Sequence, residues 1–255
     1  MTVQISDPPP SSAAVDAAVF RAENISVQFG GLKAISEVSL EVERHQVFGL
    51  IGPNGAGKTT LVNCLTGFQR PTAGKVTLAG ADTTGWSPTR FRKAGIGRTF
   101  QAGRLFRDMT VLENVEVTAA ALGLSRRQAR LYAMEMLGWL GIAHDAERLC
   151  GGLPYTDERR VGIARALLLK PAFVLLDEPA AGMSDHECDT LMHLVREIPK
   201  VHGCGVLLIE HNMRVIMGLC DRIHVLDGGR TIADGPAREV QKDPTVIAAY
   251  LGAAA

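Results

Sequence analysis

A glycine-rich loop between an apolar run and a helical pattern constrains this chain more than any other feature. Residues 52–60 read GPNGAGKTT and match G-x-x-x-x-G-K-[ST], a pattern that cradles phosphates. The run Val47–Ile51 before the loop is short and apolar, as in a buried strand, and residues 60–65 have the pattern of a first helical turn. Because a chance glycine-rich turn would not need these neighbours, the sequence predicts an α/β core around a phosphate-binding loop.

The residue types in the loop suit a nucleotide and a magnesium ion. Gly55 and Gly57 let backbone N–H groups approach phosphate oxygens without a Cβ clash, and the N-terminus of the next helix adds partial positive charge. Lys58 would reach the β- and γ-phosphates, and the Thr59 hydroxyl would bind Mg²⁺. The predicted nucleotide-binding residues of the loop are Gly52, Pro53, Asn54, Gly55, Ala56, Gly57, Lys58, Thr59 and Thr60.

Composition excludes several classes of protein. The 255 residues include 27 Lys+Arg and 27 Asp+Glu, so there is no basic excess to hold nucleic acid. No apolar run approaches the roughly 20 residues that cross a bilayer, and the N-terminus does not have the pattern of a signal peptide. The five scattered cysteines have no C-x-x-C spacing and indicate reduced thiols. His186, Cys188 and His193 match no zinc pattern and are interpreted as a solvated helix face.

The pattern along the chain predicts one domain with an insertion. Residues 1–16 include Pro8-Pro9-Pro10-Ser11-Ser12 and are expected to be a disordered tail, with a single domain over 17–255. Alternating residues over 19–29 and 38–42 predict antiparallel strands. From about 88 to 169 strand patterns disappear, and the sequence predicts an inserted helical subdomain.

The insertion is expected to hold helices near residues 110–121, 125–140 and 156–168, with Ser125 as an N-cap. In the second of these helices, the apolar side chains of Leu131, Met134, Leu137 and Trp139 or Leu140 are predicted to form the packed face.

Two acids follow the apolar run 173–176 directly. Asp177 would complete the magnesium site, and Glu178 could polarise a water molecule in line with the γ-phosphate. The alternative, an acidic strand end at a sheet edge, explains one acid but not the sequence of four apolar residues, Asp, Glu and Pro.

His211 follows another apolar strand and could contact the γ-phosphate, and Gln101 could bind Mg²⁺ or water. Taken singly, the histidine would be a core or surface residue and the glutamine a loop residue.

In this order of motifs the chain resembles the ATP-binding subunits of ABC transporters over nearly all of its length. The resemblance implies a P-loop NTPase core with a largely parallel sheet, an N-terminal antiparallel β subdomain and the helical insertion. It also implies that Phe29 stacks on adenine, a contact worth roughly 1–3 kcal/mol per base. The stretches most similar to importers of branched-chain and other hydrophobic amino acids are residues 29–34, 98–101, 105–111, 177–183 and 249–252.

The resemblance assigns roles and partners. ATP and Mg²⁺ would bind at a dimer interface, with Glu178 as general base, His211 as γ-phosphate sensor, Lys58 on the phosphates and Thr59, Gln101 and Asp177 at the metal. The implied partners are transmembrane permease subunits, a second identical or different ATPase subunit and, indirectly, an extracytoplasmic substrate-binding protein. The expected location is peripheral, on the cytoplasmic face of the inner membrane, with the helical insertion docked on a permease subunit.

One stretch departs from the family pattern. The family's signature, which acts on the partner's ATP, reads L-S-G-G-Q or L-[S/A/P]-Y-G-[D/Q]-Q, whereas this chain has Leu153, Pro154, Tyr155, Thr156 and Asp157. Thr156 replaces a glycine whose backbone N–H would lie close to a phosphate, and Asp157 and Glu158 add negative charge there. Ser184 also stands where the family usually has Asp or Asn. The threonine could be tolerated through a small backbone shift, or it could make the chain a nucleotide-binding regulatory half-site with little hydrolysis. A different cargo, such as urea, an aromatic acid or an exported lipid, stays open.

Overall fold

The computed structural model of the protein describes residues 18–100 and 104–252. The predicted tail of residues 1–16 lies outside the described residues, and so does Gln101. None of the helices in the described part of the chain is long and apolar enough to cross a membrane.

An antiparallel sheet forms the N-terminal part, as predicted. Its strands are β1 (Val19–Phe29), β2 (Leu32–Glu43), β4 (Ala73–Leu78) and β5 (Ala81–Asp82), in the order β2-β1-β4-β5. The alternation in β1 buries Phe20, Ala22, Ile25 and Val27 and leaves the residues between them less buried. This is the pattern of a sheet with one face against a core.

The second sheet has the order β10-β9-β3-β8-β7-β6 and is parallel except for the β9–β10 hairpin. Its strands are β3 (Val47–Ile51), β6 (Ile96–Arg98), β7 (Phe173–Asp177), β8 (Gly205–Ile209), β9 (Arg222–Asp227) and β10 (Arg230–Pro236). The central strands β3 and β8 are buried throughout because both faces of the sheet are covered.

The helices are α1 (Lys58–Leu65), α2 (Pro88–Lys93), α3 (Val111–Ala121), α4 (Arg126–Trp139), α5 (Tyr155–Leu167), α6 (Asp185–His202), α7 (Met213–Leu219), α8 (Ala237–Val240) and α9 (Pro244–Gly252). Thr110 and Ser125 begin α3 and α4 with capping boxes, which confirms the predicted N-cap at Ser125.

Alternation along the buried strands divides the core between two faces of the parallel sheet. Phe173 and Leu175 of β7 pack in the cluster that contains α1 and the antiparallel sheet. Val174 and Leu176 pack in the cluster that contains α3, α4, α5 and α6. Asp177 has the parity of Phe173 and Leu175, so its side chain lies on the α1 face. This placement decides which residues the aspartate meets.

The prediction that strands are absent from residues 88–169 was wrong at β6. This strand pairs in parallel with β7 through Ile96–Phe173, Gly97–Val174 and Arg98–Leu175. Only three residues long, it contains a glycine in the middle, because a Cβ at Gly97 would lie 2.3 Å from the carbonyl oxygen of Ala166 in α5. The helices that follow, α3 to α5, lie between β6 and β7 in the chain.

The packed face predicted for α4 was only partly right, since Leu137 and Leu140 are buried but Leu131 and Met134 are not. Leu131 is 67% exposed and Met134 37%, whereas the buried face carries Ala129, Ala133, Met136 and Leu137. The small alanines allow α4 to pack closely on α3. The prediction chose the large apolar side chain of Leu131 over these alanines. The solvated face predicted around His186 was only partly right, since His186 and His193 are exposed but Cys188 is buried.

Candidate functional site

Three neighbouring parallel strands bring the predicted site residues to one edge of the sheet. β3 runs into the loop at Gly52, β7 ends at Asp177, and β8 runs into Glu210 and His211. These strands are adjacent in the order β3-β8-β7, so their carboxyl ends meet at the edge where α/β sheets bind ligands.

The loop 52–60 holds Lys58 in a buried position at the start of α1. Its Nζ donates hydrogen bonds to the carbonyl oxygens of Gly52 at 2.6 Å and Pro53 at 3.0 Å. Burial lowers the pKa of Lys58, whereas the nearby carboxylates of Glu178 and Asp177 raise it. The lysine therefore lies inside the loop with both predicted acids close enough to act on it.

Two glycines of the loop are required by close contacts. A Cβ at Gly52, whose φ is +149°, would lie 2.1 Å from the carbonyl oxygen of Leu226, and one at Gly57, whose φ is +99°, would lie 2.5 Å from Ile35 Cδ1. The second contact shows that the β1–β2 hairpin packs against the loop. Phe29, at the end of β1 in this hairpin, is 47% exposed.

Glu178 leaves β7 in a left-handed backbone conformation with φ +45°, which is uncommon for a residue with a side chain. Its N–H donates to the carbonyl oxygen of Ile209 in β8 at 2.9 Å. Its Oε1 lies 3.8 Å from His211 Nδ1. The strained backbone thus places the predicted base beside the predicted γ-phosphate sensor.

Sequence reasoning missed Glu210, which is fully buried. Its Oε1 accepts from the N–H of Ala180 at 2.7 Å, and its Oε2 accepts from the N–H groups of His211 at 3.1 Å and Asn212 at 3.4 Å. One carboxylate therefore holds the turn after Glu178 and the start of the segment with His211. The sequence feature that could have identified Glu210 is its position directly after an apolar strand.

The residues at the edge of the sheet fit a magnesium ion bound together with phosphate. Thr59 is exposed at the first turn of α1, and Asp177 is only partly buried. Within residues 18–100 and 104–252, no hydrogen-bond donor contacts Asp177 Oδ1, and no group of three or more His, Cys, Asp or Glu residues could hold a metal alone. Hydroxyl, carboxylate and phosphate oxygens together are the set that Mg²⁺ prefers.

The predicted signature segment lies at the start of α5, and its acidic side chains are paired with arginines. Asp157 lies 3.3 Å from Arg160, and Glu158 lies 3.4 Å from Arg107. Pro154 is the N-cap and provides no side-chain hydrogen bond. Arg159 donates a hydrogen bond to the exposed Tyr155 hydroxyl. The negative charge expected to repel a phosphate at this helix end is therefore offset by two arginines.

Thr156 lines a cavity of about 200 Å³ between α5 and α6, with Met183, Glu187 and Leu191. In the described part of the chain, no hydrogen bond or ion pair joins residues 153–157 to the loop 52–60. The structure brings together the loop, Asp177, Glu178 and His211. The predicted signature residues 153–157 are not bonded to the loop among the described residues of this chain.

Comparisons with known proteins agree with this geometry. Residues 35–181 match the family described as "ABC transporter", and residues 230–255 match "Branched-chain amino acid ATP-binding cassette transporter". The chain is 42% identical over 245 residues to the high-affinity branched-chain amino acid transport ATP-binding protein LivG of Salmonella typhimurium, with 90% of this chain and 96% of LivG covered. It is 39% identical to BraF of Pseudomonas aeruginosa, with 92% and 98% covered.

The fold is also similar to solved structures. The ADP conformation of MJ1267, an ATP-binding cassette of an ABC transporter, has a TM-score of 0.84 at 32% identity. The alignment covers 92% of this chain and 99% of the MJ1267 chain. A nucleotide-free ATP-binding cassette from an ABC transporter has a TM-score of 0.82 at 30% identity, with 91% and 98% covered. The chain therefore belongs to the ATP-binding cassette proteins of ABC transporters.

Proposed function

We propose that this protein is the ATP-hydrolysing subunit of a membrane importer for branched-chain or other hydrophobic amino acids. The observation that carries the hydrolytic part is the convergence of Lys58, Asp177, Glu178 and His211 at one sheet edge. The cargo is supported by the names of the relatives, LivG and BraF, which align over nearly the whole chain.

Each residue has a role in the proposed reaction. Lys58, the loop N–H groups and the N-terminus of α1 bind the phosphates. Thr59, Asp177 and Gln101 would hold Mg²⁺, which neutralises charge on the phosphate oxygens when it is bound. Glu178 accepts a proton from the attacking water, His211 contacts the γ-phosphate, and Phe29 stacks on the adenine.

The proposed assembly contains two ATPase subunits and transmembrane permease subunits, and an extracytoplasmic substrate-binding protein delivers the cargo. A groove of about 340 Å³ between the core and the helical insertion supports permease docking. Phe68 and Phe106 line the groove and are 48% and 47% exposed, so together they offer apolar surface to a docked segment. The protein would lie peripherally on the cytoplasmic face of the inner membrane, as one domain over 17–255 with its helical subdomain inserted.

Uptake by cells tests the proposal. A strain that lacks the gene should lose uptake of radiolabelled leucine, isoleucine and valine, and the wild-type gene should restore it. Lys58→Ala should not restore uptake, because the phosphates lose their cation. Restored leucine uptake with Lys58→Ala would contradict the role of the loop, and unchanged amino-acid uptake in the deletion strain would contradict the cargo.

One observation favours a second candidate, a nucleotide-binding regulatory half-site with little hydrolysis. Thr156 places a branched Cβ at the helix end that would meet the partner's ATP. The intact arrangement of Glu178 and His211 favours hydrolysis at this chain's own site. ATP turnover is measured in the complex with the partner's catalytic glutamate replaced by glutamine. Turnover that persists supports hydrolysis by this chain, and turnover that is lost supports the regulatory half-site.

A further inference from the structure

A buried arginine at the end of β6 joins three elements beside the proposed nucleotide site. Arg98 pairs in register with Leu175 of β7, so its side chain lies on the same face of the sheet as Asp177. Its Nη1 donates to Asn63 Oδ1 at 2.8 Å and to Thr66 Oγ1 at 2.8 Å, in α1 and at its end. Its Nη2 donates to Asp177 Oδ2 at 3.2 Å.

The guanidinium is fixed in place by its surroundings. The Arg98 side chain is 7% exposed, and the rings of Phe68 and Phe100 lie 5.4 Å and 4.8 Å from its Cζ. Burial lowers the pKa of Arg98, while the Asp177 carboxylate raises it. Both terminal nitrogens of the guanidinium are hydrogen bonded, whereas its buried Nε has no hydrogen-bond partner among the described residues. Removal of one partner of a buried ion pair leaves an uncompensated charge.

The ion pair uses one oxygen of Asp177 and leaves the other. Oδ2 accepts from Arg98, whereas Oδ1 has no donor among the described residues. The backbone is held as well, because the Asp177 N–H donates to Thr99 Oγ1 at 3.0 Å. The carboxylate is therefore oriented before any ligand binds.

We propose that Arg98 is a positioning residue that holds Oδ2 of Asp177 and leaves Oδ1 to a divalent cation, so that cation affinity depends on Arg98. The inference rests on the proposed magnesium site at Asp177. Arg98 also lines the groove between the core and the helical insertion. A permease segment in that groove would contact the residue that orients the cation ligand.

Manganese binding to the purified full-length protein tests this inference. Mn²⁺ is titrated in saturating ADP and followed by electron paramagnetic resonance, and ADP affinity is measured separately in EDTA. Arg98→Gln should raise the dissociation constant for Mn²⁺ roughly tenfold or more, as for other residues that orient a metal ligand. Arg98→Lys should have a smaller effect, since lysine keeps the charge but lacks the second terminal nitrogen that bonds α1. Metal-free ADP affinity should not change in either variant.

Arg92 offers a matched control. It is partly buried in the same groove, where its Nη2 donates to the carbonyl oxygens of Arg165 at 3.2 Å and Leu168 at 2.8 Å, and desolvation lowers its pKa to about 10. Arg92→Gln should lower the melting temperature and leave Mn²⁺ affinity unchanged. An equal loss of Mn²⁺ affinity in this variant, or a parallel loss of metal-free ADP affinity in Arg98→Gln, would reduce Arg98 to a general structural role.

Asp177→Asn separates failure of the inference from failure of the proposed site. If Asp177→Asn weakens Mn²⁺ binding but Arg98→Gln and Arg98→Lys do not, the inference is wrong and the magnesium site stands. If none of these variants changes Mn²⁺ affinity, the assignment of Asp177 to the metal is wrong and the inference fails with it.

Discussion

At the scale of single residues, the site depends on one strained backbone position and the buried acid near it. Glu178 has a left-handed backbone, and its N–H is bonded to Ile209, the residue that precedes Glu210. Glu210 in turn bonds the N–H groups of Ala180 and His211. Strain at a functional residue persists only when the surrounding structure fixes it, and these bonds supply that fixation.

Replacement of the proposed base should stop turnover without loss of nucleotide binding. Glu178→Gln keeps the shape of the side chain and removes its ability to accept a proton, so ATP turnover should fall roughly 100-fold or more. ATP and Mg²⁺ should then accumulate a dimer, because hydrolysis no longer separates the subunits. Gel filtration with ATP and Mg²⁺ measures this, and a purely monomeric variant with normal turnover would contradict the role.

Removal of the exposed aromatic ring should weaken ATP binding alone. Phe29→Ala loses a stacking contact worth about 1–3 kcal/mol, which corresponds to roughly five- to 150-fold weaker binding. Turnover at saturating ATP should persist. The substitution of Leu32, an exposed apolar residue of the same hairpin, by alanine is a suitable control. Equal ATP affinity in wild type and Phe29→Ala would show that the ring does not stack on adenine.

At the scale of elements, the N-terminus of α5 combines a departure in sequence with a compensation in structure. Arg160 and Arg107 pair with Asp157 and Glu158, so the charge problem expected from the sequence is reduced. No such pairing offsets the bulk of Thr156, whose branched Cβ lies in the first turn of α5. We therefore expect the remaining effect of the departure to be steric.

Thr156→Gly should raise ATP turnover in the assembled complex through the partner's site. Recovery of one backbone hydrogen bond to a phosphate, worth about 0.5–1.5 kcal/mol, corresponds to a roughly two- to tenfold increase. Nucleotide affinity of the isolated subunit should not change, since its own loop does not include residue 156. The increase should vanish when the partner's catalytic glutamate is replaced by glutamine. Persistence of the increase in that complex, or no increase in the unaltered complex, would contradict an effect of Thr156 at the partner's site.

At the scale of the whole molecule, the β9–β10 hairpin closes one edge of the parallel sheet through a polar cluster. His224 is buried, with its Nδ1 2.7 Å from Asp234 Oδ2 and its Nε2 3.0 Å from Thr231 Oγ1, and Arg222 lies 2.5 Å from Asp234. Burial by itself would raise the pKa of Asp234, but the hydrogen bonds from His224 and Arg222 prevail and lower it below its ordinary value.

Asp234 should therefore stabilise the fold in a pH-dependent way. A carboxyl with a lowered pKa in the folded state contributes stability above its unfolded pKa, about 3.9, and loses it as pH falls through the folded value. Asp234→Ala should lower the urea midpoint near pH 7, and its difference from wild type should shrink below about pH 4. Thr231→Val, which removes the other His224 contact without a change in charge, should show no such trend. A constant difference for Asp234→Ala from pH 7 to pH 3 would contradict the assignment.

Local patterns in the sequence determined much of this protein. The loop with Lys58, the apolar strands that end at Asp177 and before His211, and the capped helices follow from contacts between residues close in the chain. These patterns predicted both sheets apart from β6, and the edge where the site lies. The roles of individual site residues stay predictions for the experiments above.

Only the tertiary structure decided what lies beside those residues, because the contacts join distant parts of the chain. Arg98 meets Asp177 across 79 residues, and Glu210 meets Ala180 across 30. Close packing of α3 on α4 buried Ala133 rather than Leu131, and the approach of α5 to β6 required glycine at residue 97. A local pattern records which side chains are apolar or charged, but the backbone distance and the opposing charge that select each residue exist only once the strands and helices are packed.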